Sequence, residues 1–398
     1  MKNTLICFVV GTGAEAIRIA PVIRAVQRKH PMASLLVSSG QDFEQVRLAL
    51  QNFGLTPDLE LAHAGVGGSL MEFAAGMMPA LDAVLTERRP AACVVLGDSI
   101  TASSSALAAF WQHIPVVHLE AGLRSGELST PSTEEGHRRI IDHLSALQLA
   151  PTPGAAMNLV REGRTSETIV VTGNPVVDAI QEMASRDIPY TDTQLTEVED
   201  SCRRIVLLAM QRRDSWGQPL LNTIEAVRRI VATEPDVHVV MPVDRDSKAR
   251  WIVQDGFAGI DRVMVCDPLT LGDQARLLAN SSLVLTDSSE LQEQAPAFDV
   301  PVLVLRDVPE RPEAISAGVA KLIGVNPTTI VREALDVLAG SASWNTCGLV
   351  DSPFGDGQAA RRAVEAIGWK LGCNERPDAF QPDQANAVLA RPLLFRVA

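Results

Sequence analysis

The sequence is poor in the spacings that build disulfide frameworks and metal sites. Its six cysteines are scattered over 398 residues with no Cys-x-x-Cys pair. Its seven histidines form neither a His-x-x-x-His nor a His-Glu-x-x-His pattern. Structural zinc sites and metalloprotease helices depend on such spacings. We therefore expect reduced cysteines packed as small apolar side chains, and no metal ion.

The chain also lacks long apolar runs and basic clusters. No segment approaches the roughly 18 consecutive apolar residues of a membrane-spanning helix. The apolar run Thr4–Val10 is too short for a signal peptide and continues into a glycine turn. The formal net charge is −13, with no basic run to offset it, which argues against a nucleic-acid surface. We expect a cytoplasmic protein with no membrane or nucleic-acid partner.

What the chain does contain is a repeated alternation of short apolar runs and helical patterns. This alternation predicts parallel sheets with helices on both faces. In the first half, the predicted strands are Thr4–Val10, Ala33–Ser38, Ala92–Leu96, Ile114–His118, Leu147–Ala150 and Thr168–Val171. In the second half, they are Arg204–Leu208, Val237–Pro242, Arg262–Cys266, Leu283–Thr286 and Val300–Val304.

A polar stretch at 184–201 interrupts this alternation and predicts a linker. We therefore predict an N-terminal Rossmann-like domain over 1–183 and a C-terminal one over 202–356. A length of 398 residues is sufficient for two domains, each with its own core. A last helix over 357–372 and a tail of undefined order over 373–398 complete the chain.

Two acids lie where predicted strands end, and a third follows beyond the next loop. Asp98 follows the strand Ala92–Leu96, and Glu120 follows the next strand along the chain. Glu134 comes fourteen residues after Glu120, beyond a loop rich in Gly, Ser, Thr and Pro. Carboxylates at the ends of buried strands are costly to desolvate, so they are usually paired, capped or catalytic. This edge is also where open α/β sheets bind ligands.

Structural roles compete with functional ones next to these acids. Ser132-x-x-Glu135 fits a capping box, which favours a structural role for Glu135 and leaves Glu134 free for chemistry. Arg138 and Arg139 follow the two glutamates by four residues, the spacing of ion pairs along a helix.

Two further segments in the second half are candidate anion sites. Asp287–Glu290 lies between an apolar strand and a predicted helix, where it fits either an N-cap or a phosphate or ribose site. Gln211-Arg212-Arg213 follows a strand, where two arginines suit either phosphate recognition or a solvated loop.

The first strand is followed by a glycine turn, Gly11–Ala16, that formally matches the dinucleotide-binding pattern G-x-G-x-x-A. Recognition of a nicotinamide dinucleotide also needs an acid at the end of the second strand. That strand ends in Val37–Gly40 without one. We therefore expect no nicotinamide cofactor, and keep the turn as a candidate for facing an anion.

Taken together, these segments resemble the non-hydrolysing UDP-N-acetylglucosamine 2-epimerases over about 1–370. In the first half of the chain, the family motif G-T-R-P-E-A-I-K corresponds to Gly11–Arg18, H-G-D-T to Leu96–Ser99, V-E-A-G-L-R-[ST]-G to Leu119–Gly126, P-E-E-x-N-R to Thr133–Arg138 and T-G-N-x-x-x-D to Thr172–Asp178. In the second half, D-S-G-G-x-Q-E-E corresponds to Asp287–Gln294, R-x-x-x-E-R-P-E-A to Arg306–Ala314 and P-[YF]-G-D-G-x-A to Pro353–Ala359. The resemblance implies a GT-B-like fold: two doubly wound Rossmann-like domains whose parallel sheets face a central cleft. It also implies that the last helix packs back on the first domain.

The same resemblance implies an enzyme that interconverts UDP-GlcNAc and UDP-ManNAc. In this reaction UDP is eliminated to give a 2-acetamidoglucal and is then added back, with C2 inverted. Asp98, Glu120 and Glu134 would be the catalytic acids and bases. The residues placed at substrate contacts are Arg18, Arg138, Gln211, Arg212, Ser288, Ser289, Glu290, Gln294 and Arg311. A homodimer, no cofactor and a role in cell-surface polysaccharide biosynthesis are also implied.

Several nucleotide-contacting positions depart from the family pattern. Gly13 stands in place of an arginine, Gln211 and Asp244 in place of histidines, Ser289-Glu290 in place of Gly-Gly, and Gln294 in place of a glutamate. Because the three acids remain, this pattern favours an altered sugar-nucleotide substrate over an inactive scaffold. The alternatives are a catalytically silent paralogue that binds a nucleotide sugar, a hydrolysing 2-epimerase that releases ManNAc and UDP, and a GT-B glycosyltransferase.

Overall fold

The computed structural model describes residues 4–382 except 30, 62–67, 127, 129–132, 187, 202, 213–214 and 341–351. The chain divides into two compact units. The first contains the chain up to Ala179 together with Phe354–Gln381, and the second contains Ile180–Pro353. Each unit is built on one parallel sheet with helices between its strands. The prediction of two α/β domains with parallel sheets is confirmed.

The first unit has a seven-stranded sheet in the order β3-β2-β1-β4-β5-β6-β7. Its strands are β1 Thr4–Val10, β2 Met32–Ser38, β3 Leu59–Glu60, β4 Ala92–Leu96, β5 Val116–Leu119, β6 Leu147–Ala150 and β7 Ile169–Val171. Its helices are α1 Gly13–Arg28, α2 Phe43–Gln51, α3 Leu70–Arg88, α4 Ile100–Trp111, α5 Glu134–Leu144, α6 Pro153–Arg161, α7 Pro175–Ala184 and α15 Ala359–Lys370. The boundary with the second unit falls within α7, between Ala179 and Ile180.

The centre of this sheet is apolar on both faces, as covered parallel strands require. Every residue of β4, with sequence ACVVL, is buried. Met77, Leu81 and Leu85 of α3 are fully buried in the same cluster as Cys93 and Val95 of β4. This rigid centre holds the strand ends, and therefore the acids that follow them.

The second unit has a six-stranded sheet in the order β10-β9-β8-β11-β12-β13. Its strands are β8 Arg204–Ala209, β9 Val237–Pro242, β10 Val263–Cys266, β11 Ser281–Thr286, β12 Val302–Val304 and β13 Ala320–Leu322. Its helices are α8 Thr193–Asp200, α9 Gln218–Thr233, α10 Lys248–Gly256, α11 Leu271–Ala279, α12 Ser289–Gln294, α13 Pro312–Ser316 and α14 Pro327–Leu338.

The stretch 184–201, predicted to be a linker, contains helix α8 and belongs to the second unit. The sequence pattern did not predict this helix because only two of its residues, Leu195 and Val198, are buried, and the rest of the stretch is mostly polar. Asp273 fixes the preceding turn by accepting a hydrogen bond from the Thr191 amide at 2.9 Å. The boundary between the two units along the chain therefore falls inside α7, ahead of the predicted linker.

After the second unit, the chain returns to the first at Phe354. Helix α15 begins at Ala359, and the carboxylate of Asp178 accepts hydrogen bonds from the Ala359 and Ala360 amides at its start. Part of the predicted tail continues in this unit, where the Phe380 amide donates to the Val171 carbonyl at 2.8 Å. Residues 383–398 lie outside the described part of the chain.

None of the described helices is long and apolar enough to cross a membrane. Cys7, Cys93, Cys266 and Cys373 are free thiols, and all but Cys373 are buried. Cys202 and Cys347 fall outside the described residues. Within the described ranges, no cluster of three or more His, Cys, Asp or Glu side chains could hold a metal ion.

The loop after β5 allows a matched test of how tightly it packs. A Cβ at Gly122 would lie 2.2 Å from the Ala155 carbonyl oxygen, whereas one at Gly126 meets no described atom within 4 Å. Both glycines have positive φ, at 84° and 91°. Gly122→Ala should lower the free energy of unfolding by about 3 kcal/mol or more, and Gly126→Ala by about 1 kcal/mol from backbone strain alone. Urea denaturation measures both; equal losses would contradict the packing described here.

Candidate active site

Asp98 and Glu120 leave neighbouring strands at the same edge of the first sheet. Strands β4 and β5 are paired in parallel, with Leu96 opposite Leu119. The Gly97 amide then donates to the Leu119 carbonyl at 3.2 Å, so the pairing extends to the point where the two acids begin. The structure therefore brings together two acids that are 22 positions apart in the sequence.

Glu120 is held in an unusual way for a carboxylate. It is only 4% exposed, and its φ of 62° is uncommon for a residue other than glycine. Arg18 of α1 donates from Nη1 to Oε2 at 3.0 Å. The other oxygen, Oε1, is buried and has no hydrogen-bond partner among the described residues. Because a buried carboxylate oxygen without a hydrogen bond is costly, it marks a position where a ligand that donates a hydrogen bond would bind favourably.

Asp98 is held by helix α5. Arg138 forms an ion pair with its carboxylate. His137 Nδ1 lies 2.8 Å from its backbone carbonyl oxygen. The predicted pairing of Arg138 with Glu134 is therefore replaced by the contact with Asp98, whereas Arg139 does pair with Glu135, at 2.9 Å.

The two glutamates at the start of α5 take different roles. Glu134 is partly exposed, and its Oε2 accepts a hydrogen bond from the Thr133 amide at 2.9 Å. Glu135 is fully buried and accepts a hydrogen bond from the Ser125 amide at 2.9 Å. Glu135 therefore has a structural contact. This contact holds the loop after β5, whereas the contact predicted from the sequence was a capping box with Ser132. Ser132, its predicted capping partner, lies outside the described residues.

The glycine turn after β1 is occupied by Glu15, a residue that sequence reasoning did not assign to the site. Glu15 Oε2 accepts hydrogen bonds from the Gly11 amide at 2.7 Å and the Thr12 amide at 3.2 Å. Burial raises the pKa of Glu15 to about 7, although hydrogen bonds from Ser99 and from the turn act against it. The sequence feature that could have predicted this role of Glu15 is the capping box Thr12-x-x-Glu15 at the start of α1. The two amides predicted to face an anion are thus already bonded to Glu15.

The structure also gives a reason for glycine at position 13. A Cβ there would lie 3.1 Å from Gln45 Cβ and 3.2 Å from the Gln45 carbonyl oxygen. Helix α2 therefore packs close to the turn, and a longer side chain at Gly13 would need α2 to shift. Position 13 therefore lacks the family arginine, and the packing of α2 also leaves little room for a longer side chain there.

The second unit contains a cavity of about 360 Å³. Its lining residues lie mainly at and after the carboxyl ends of β8, β9 and β10, and in helices α11 and α12: Leu207, Ala209, Met210, Gln211, Trp216, Pro242, Val243, Asp244, Ser247, Pro268, Leu269, Gln274 and Leu291. The indole Nε1 of Trp216 is buried and makes no hydrogen bond within the described part of the chain. The cavity thus offers apolar walls with a few polar groups, the usual composition of a small-molecule site.

Arg212 and Arg311, predicted to bind substrate, are in ion pairs. Arg212 pairs with Glu310, and Arg311 pairs with the buried Glu293. Asp287 is fully buried, and its carboxylate accepts from the Gln211 amide at 2.8 Å. It therefore holds the loop after β8 and does not cap α12.

Helix α12 has its own internal contacts. Gln294 Nε2 donates to Glu290 Oε1 at 2.8 Å, one helical turn away. Gln274, which lines the cavity, donates from Nε2 to Gln294 Oε1 at 2.6 Å. Ser288 precedes the helix and makes no side-chain cap, and Ser289 is its first residue. The segment predicted to face phosphate is therefore linked to the cavity through Gln294.

The chain matches the family profile described as UDP-N-acetylglucosamine 2-epimerase over residues 24–368. It is 35% identical over 381 residues to the UDP-N-acetylglucosamine 2-epimerase of Bacillus subtilis strain 168, covering 96% of this chain and 99% of that one. Identity to the enzyme of Escherichia coli K12 is 33% over 364 residues, covering 90% and 97%. The solved UDP-GlcNAc 2-epimerase of Neisseria meningitidis, bound to UDP-GlcNAc, is similar with a TM-score of 0.81 and 31% identity, covering 91% and 99%.

The raised pKa of Glu15 predicts a specific pH dependence of stability. The folded state holds the proton more tightly than the unfolded chain, so this stabilisation is complete below pH 4.5 and is lost as the pH rises through about 7. The free energy of unfolding of Glu15→Gln, compared with that of the parent, should therefore rise by up to about 3 kcal/mol between about pH 5 and pH 9. Urea unfolding at both pH values measures this gain; parallel profiles would contradict the assignment.

Proposed function

The chain belongs to the UDP-N-acetylglucosamine 2-epimerase family, and we propose that Asp98, Glu120 and Glu134 supply its acid–base chemistry. It is a sugar-nucleotide 2-epimerase, an isomerase that acts at C2 of UDP-GlcNAc. The observation that carries the site assignment is Oε1 of Glu120, which has no hydrogen-bond partner among the described residues and lies beside the turn that bears Asp98.

The reaction removes a proton from C2 while the bond from C1 to the UDP oxygen breaks. The C2–H electrons form the C1=C2 double bond of a 2-acetamidoglucal, and UDP leaves with the C1–O pair. UDP then returns to C1, and C2 receives a proton on its other face. This sequence needs one proton acceptor and one proton donor, on opposite faces of the sugar.

Glu120 is our candidate for the proton acceptor. A carboxylate oxygen without a protein partner can take a proton without first breaking a hydrogen bond, and Arg18 holds the other oxygen at 3.0 Å. Asp98, oriented by Arg138, is the candidate for the second group. Glu134 is less buried, and its contact to the Thr133 amide would have to loosen for direct participation.

We propose that the cavity of the second unit binds the nucleotide. Its volume of about 360 Å³ and its apolar walls with a few polar groups support a small planar base. Among the described residues, the lining contains Asp244 and no Lys or Arg, and the nearby Arg212 is paired with Glu310. We therefore expect the diphosphate to bind more weakly here than in a site with unpaired cations.

We also propose a cytoplasmic homodimer that serves cell-surface polysaccharide biosynthesis, following the family pattern. Phe110 and Trp111 at the end of α4 are 50% and 61% exposed. Adjacent exposed aromatic side chains support a protein contact on that face. Light scattering on the purified protein tests the dimer.

The catalytic assignment predicts that Asp98→Asn and Glu120→Gln each lower exchange of the C2 proton by about 10²–10⁴-fold while the fold is kept. Incubation with UDP-GlcNAc in D₂O, followed by NMR of deuterium at C2, measures this loss. The matched control is Glu87→Gln, an exposed acid on α3.

The same experiment separates the alternatives. Deuterium at C2 of the nucleotide sugar identifies an epimerase, and free UDP with ManNAc identifies a hydrolase. Unchanged substrate with measurable binding identifies a silent paralogue. Exchange at the parental rate in either variant would show that the acid–base groups lie elsewhere.

The cavity assignment predicts that Asp244→Asn strengthens UDP binding by roughly threefold to tenfold at low ionic strength, because it removes a negative charge beside the diphosphate. Calorimetry measures the affinity. Asp246→Asn is the matched control, since Asp246 is also exposed but does not line the cavity. An equal gain in both variants would indicate a general charge effect, and no gain would place the diphosphate elsewhere.

A further inference from the structure

His118, on β5 two residues before Glu120, is fully buried and engaged at both ring nitrogens. Nδ1 lies 2.6 Å from Asp142 Oδ1, and Nε2 lies 2.8 Å from the Gly97 carbonyl oxygen. Asp142, on α5, is fully buried as well. Neither the motifs nor the acid–base assignment above gives His118 a role.

The two partners determine where the ring protons lie. A carbonyl oxygen can only accept, so Nε2 must carry a hydrogen. Asp142 also accepts at Oδ2 from Arg124 Nη2 at 2.7 Å and from the Gly122 amide at 3.3 Å. Burial acts to raise the pKa of Asp142, but the charges and hydrogen bonds of His118 and Arg124 outweigh it and hold this pKa below its usual range. Asp142 therefore holds Nδ1 of His118 from one side of the ring, and the Gly97 carbonyl accepts from Nε2 on the other.

His118 belongs to a network of charged side chains. In the described part of the chain, this network of ion pairs joins four carboxylates to three guanidinium groups and His118. The carboxylates are Asp98, Glu135, Asp142 and Glu162, and the guanidinium groups are Arg124, Arg138 and Arg139. Through Asp142, His118 is therefore connected to the ion pair between Arg138 and Asp98.

The contacts of His118 reach both turns that carry the proposed catalytic acids. Gly97, whose carbonyl accepts from Nε2, directly precedes Asp98. Asp142, its other partner, binds the amide of Gly122, two residues after Glu120. His137 approaches the carbonyl of Asp98 itself from α5, at 2.8 Å. The peptide carbonyls on both sides of the Asp98 Cα are therefore held by histidines.

We propose that His118 is a positioning residue of the epimerase reaction: a buried histidine, bonded at both ring nitrogens, that fixes the Asp98 turn against the Glu120 turn. This inference rests on the proposed roles of Asp98 and Glu120. His118 touches neither carboxylate, so it acts on the reaction through the Gly97 carbonyl and through Asp142. The proposed nucleotide cavity is in the other unit, so the loss of His118 should affect kcat and leave KM nearly unchanged.

Two substitutions separate the contacts of His118. An asparagine amide takes the place of Nδ1 and can still donate to Asp142, whereas a glutamine amide takes the place of Nε2 and can still donate to Gly97. We expect His118→Asn to lower kcat by about 10- to 100-fold, because the Asp98 turn is released, with KM changed less than about twofold. His118→Gln should retain several-fold more kcat than His118→Asn.

Unfolding midpoints of both variants provide the comparison with a purely structural role. If His118 only stabilises the fold, kcat should follow stability in both variants, with no advantage for glutamine. That result would overturn the proposal, as would a rise in KM with kcat unchanged.

The contact at Nε2 is tested in the parent protein, so the proposal remains falsifiable if neither variant folds. In the full chain labelled with [¹⁵N]histidine, His118 Nε2 should show the shift of a ring nitrogen that carries a hydrogen, as donation to the Gly97 carbonyl requires. An Nε2 without a hydrogen would overturn the proposal. This readout is independent of activity, so it also distinguishes failure at His118 from failure of the catalytic assignment at Asp98 and Glu120.

Discussion

The hydrogen bonds to the buried carboxylate of Asp142 are the interactions on which the proposed active-site end of the first unit depends. This carboxylate accepts hydrogen bonds from His118, Arg124 and the Gly122 amide, at 2.6, 2.7 and 3.3 Å. A carboxylate taken out of water is stable only while its partners stay in place. The ends of β4 and β5, the loop that follows β5 and helix α5 are therefore held in one arrangement, and the two acids are placed by that arrangement.

The two units differ in how their proposed site residues are paired. In the first unit, Glu120 keeps one buried oxygen that has no hydrogen-bond partner among the described residues. In the second, Arg212 and Arg311 are paired with Glu310 and Glu293. Family membership is established by the match along the chain, which confirms the resemblance seen in the motifs. Our proposal of weaker diphosphate binding rests on these ion pairs.

Long, apolar elements were readable from the sequence, and short or polar ones were not. The predicted bounds of β1, β4 and β6 coincide with the observed strands, because each is a short, mainly apolar run between turn residues or helices. The edge strands β3 and β13 have only two and three residues, and neither contains an apolar run from which a strand could be predicted. Helix α8 was hidden because it buries only two side chains against the second unit.

The sequence by itself determined the family, the parallel α/β architecture and the acids at the strand ends, because periodicity and motif spacing are local properties of the chain. Only the tertiary structure decided which partner each charged group has. Arg138 lies one helical turn from Glu134 but pairs with Asp98, Glu15 fills the turn that resembled an anion site, and Asp142 meets a histidine 24 positions away. The physical reason is desolvation: a buried charge takes the partner that packing brings within reach, and packing joins residues that are distant in sequence.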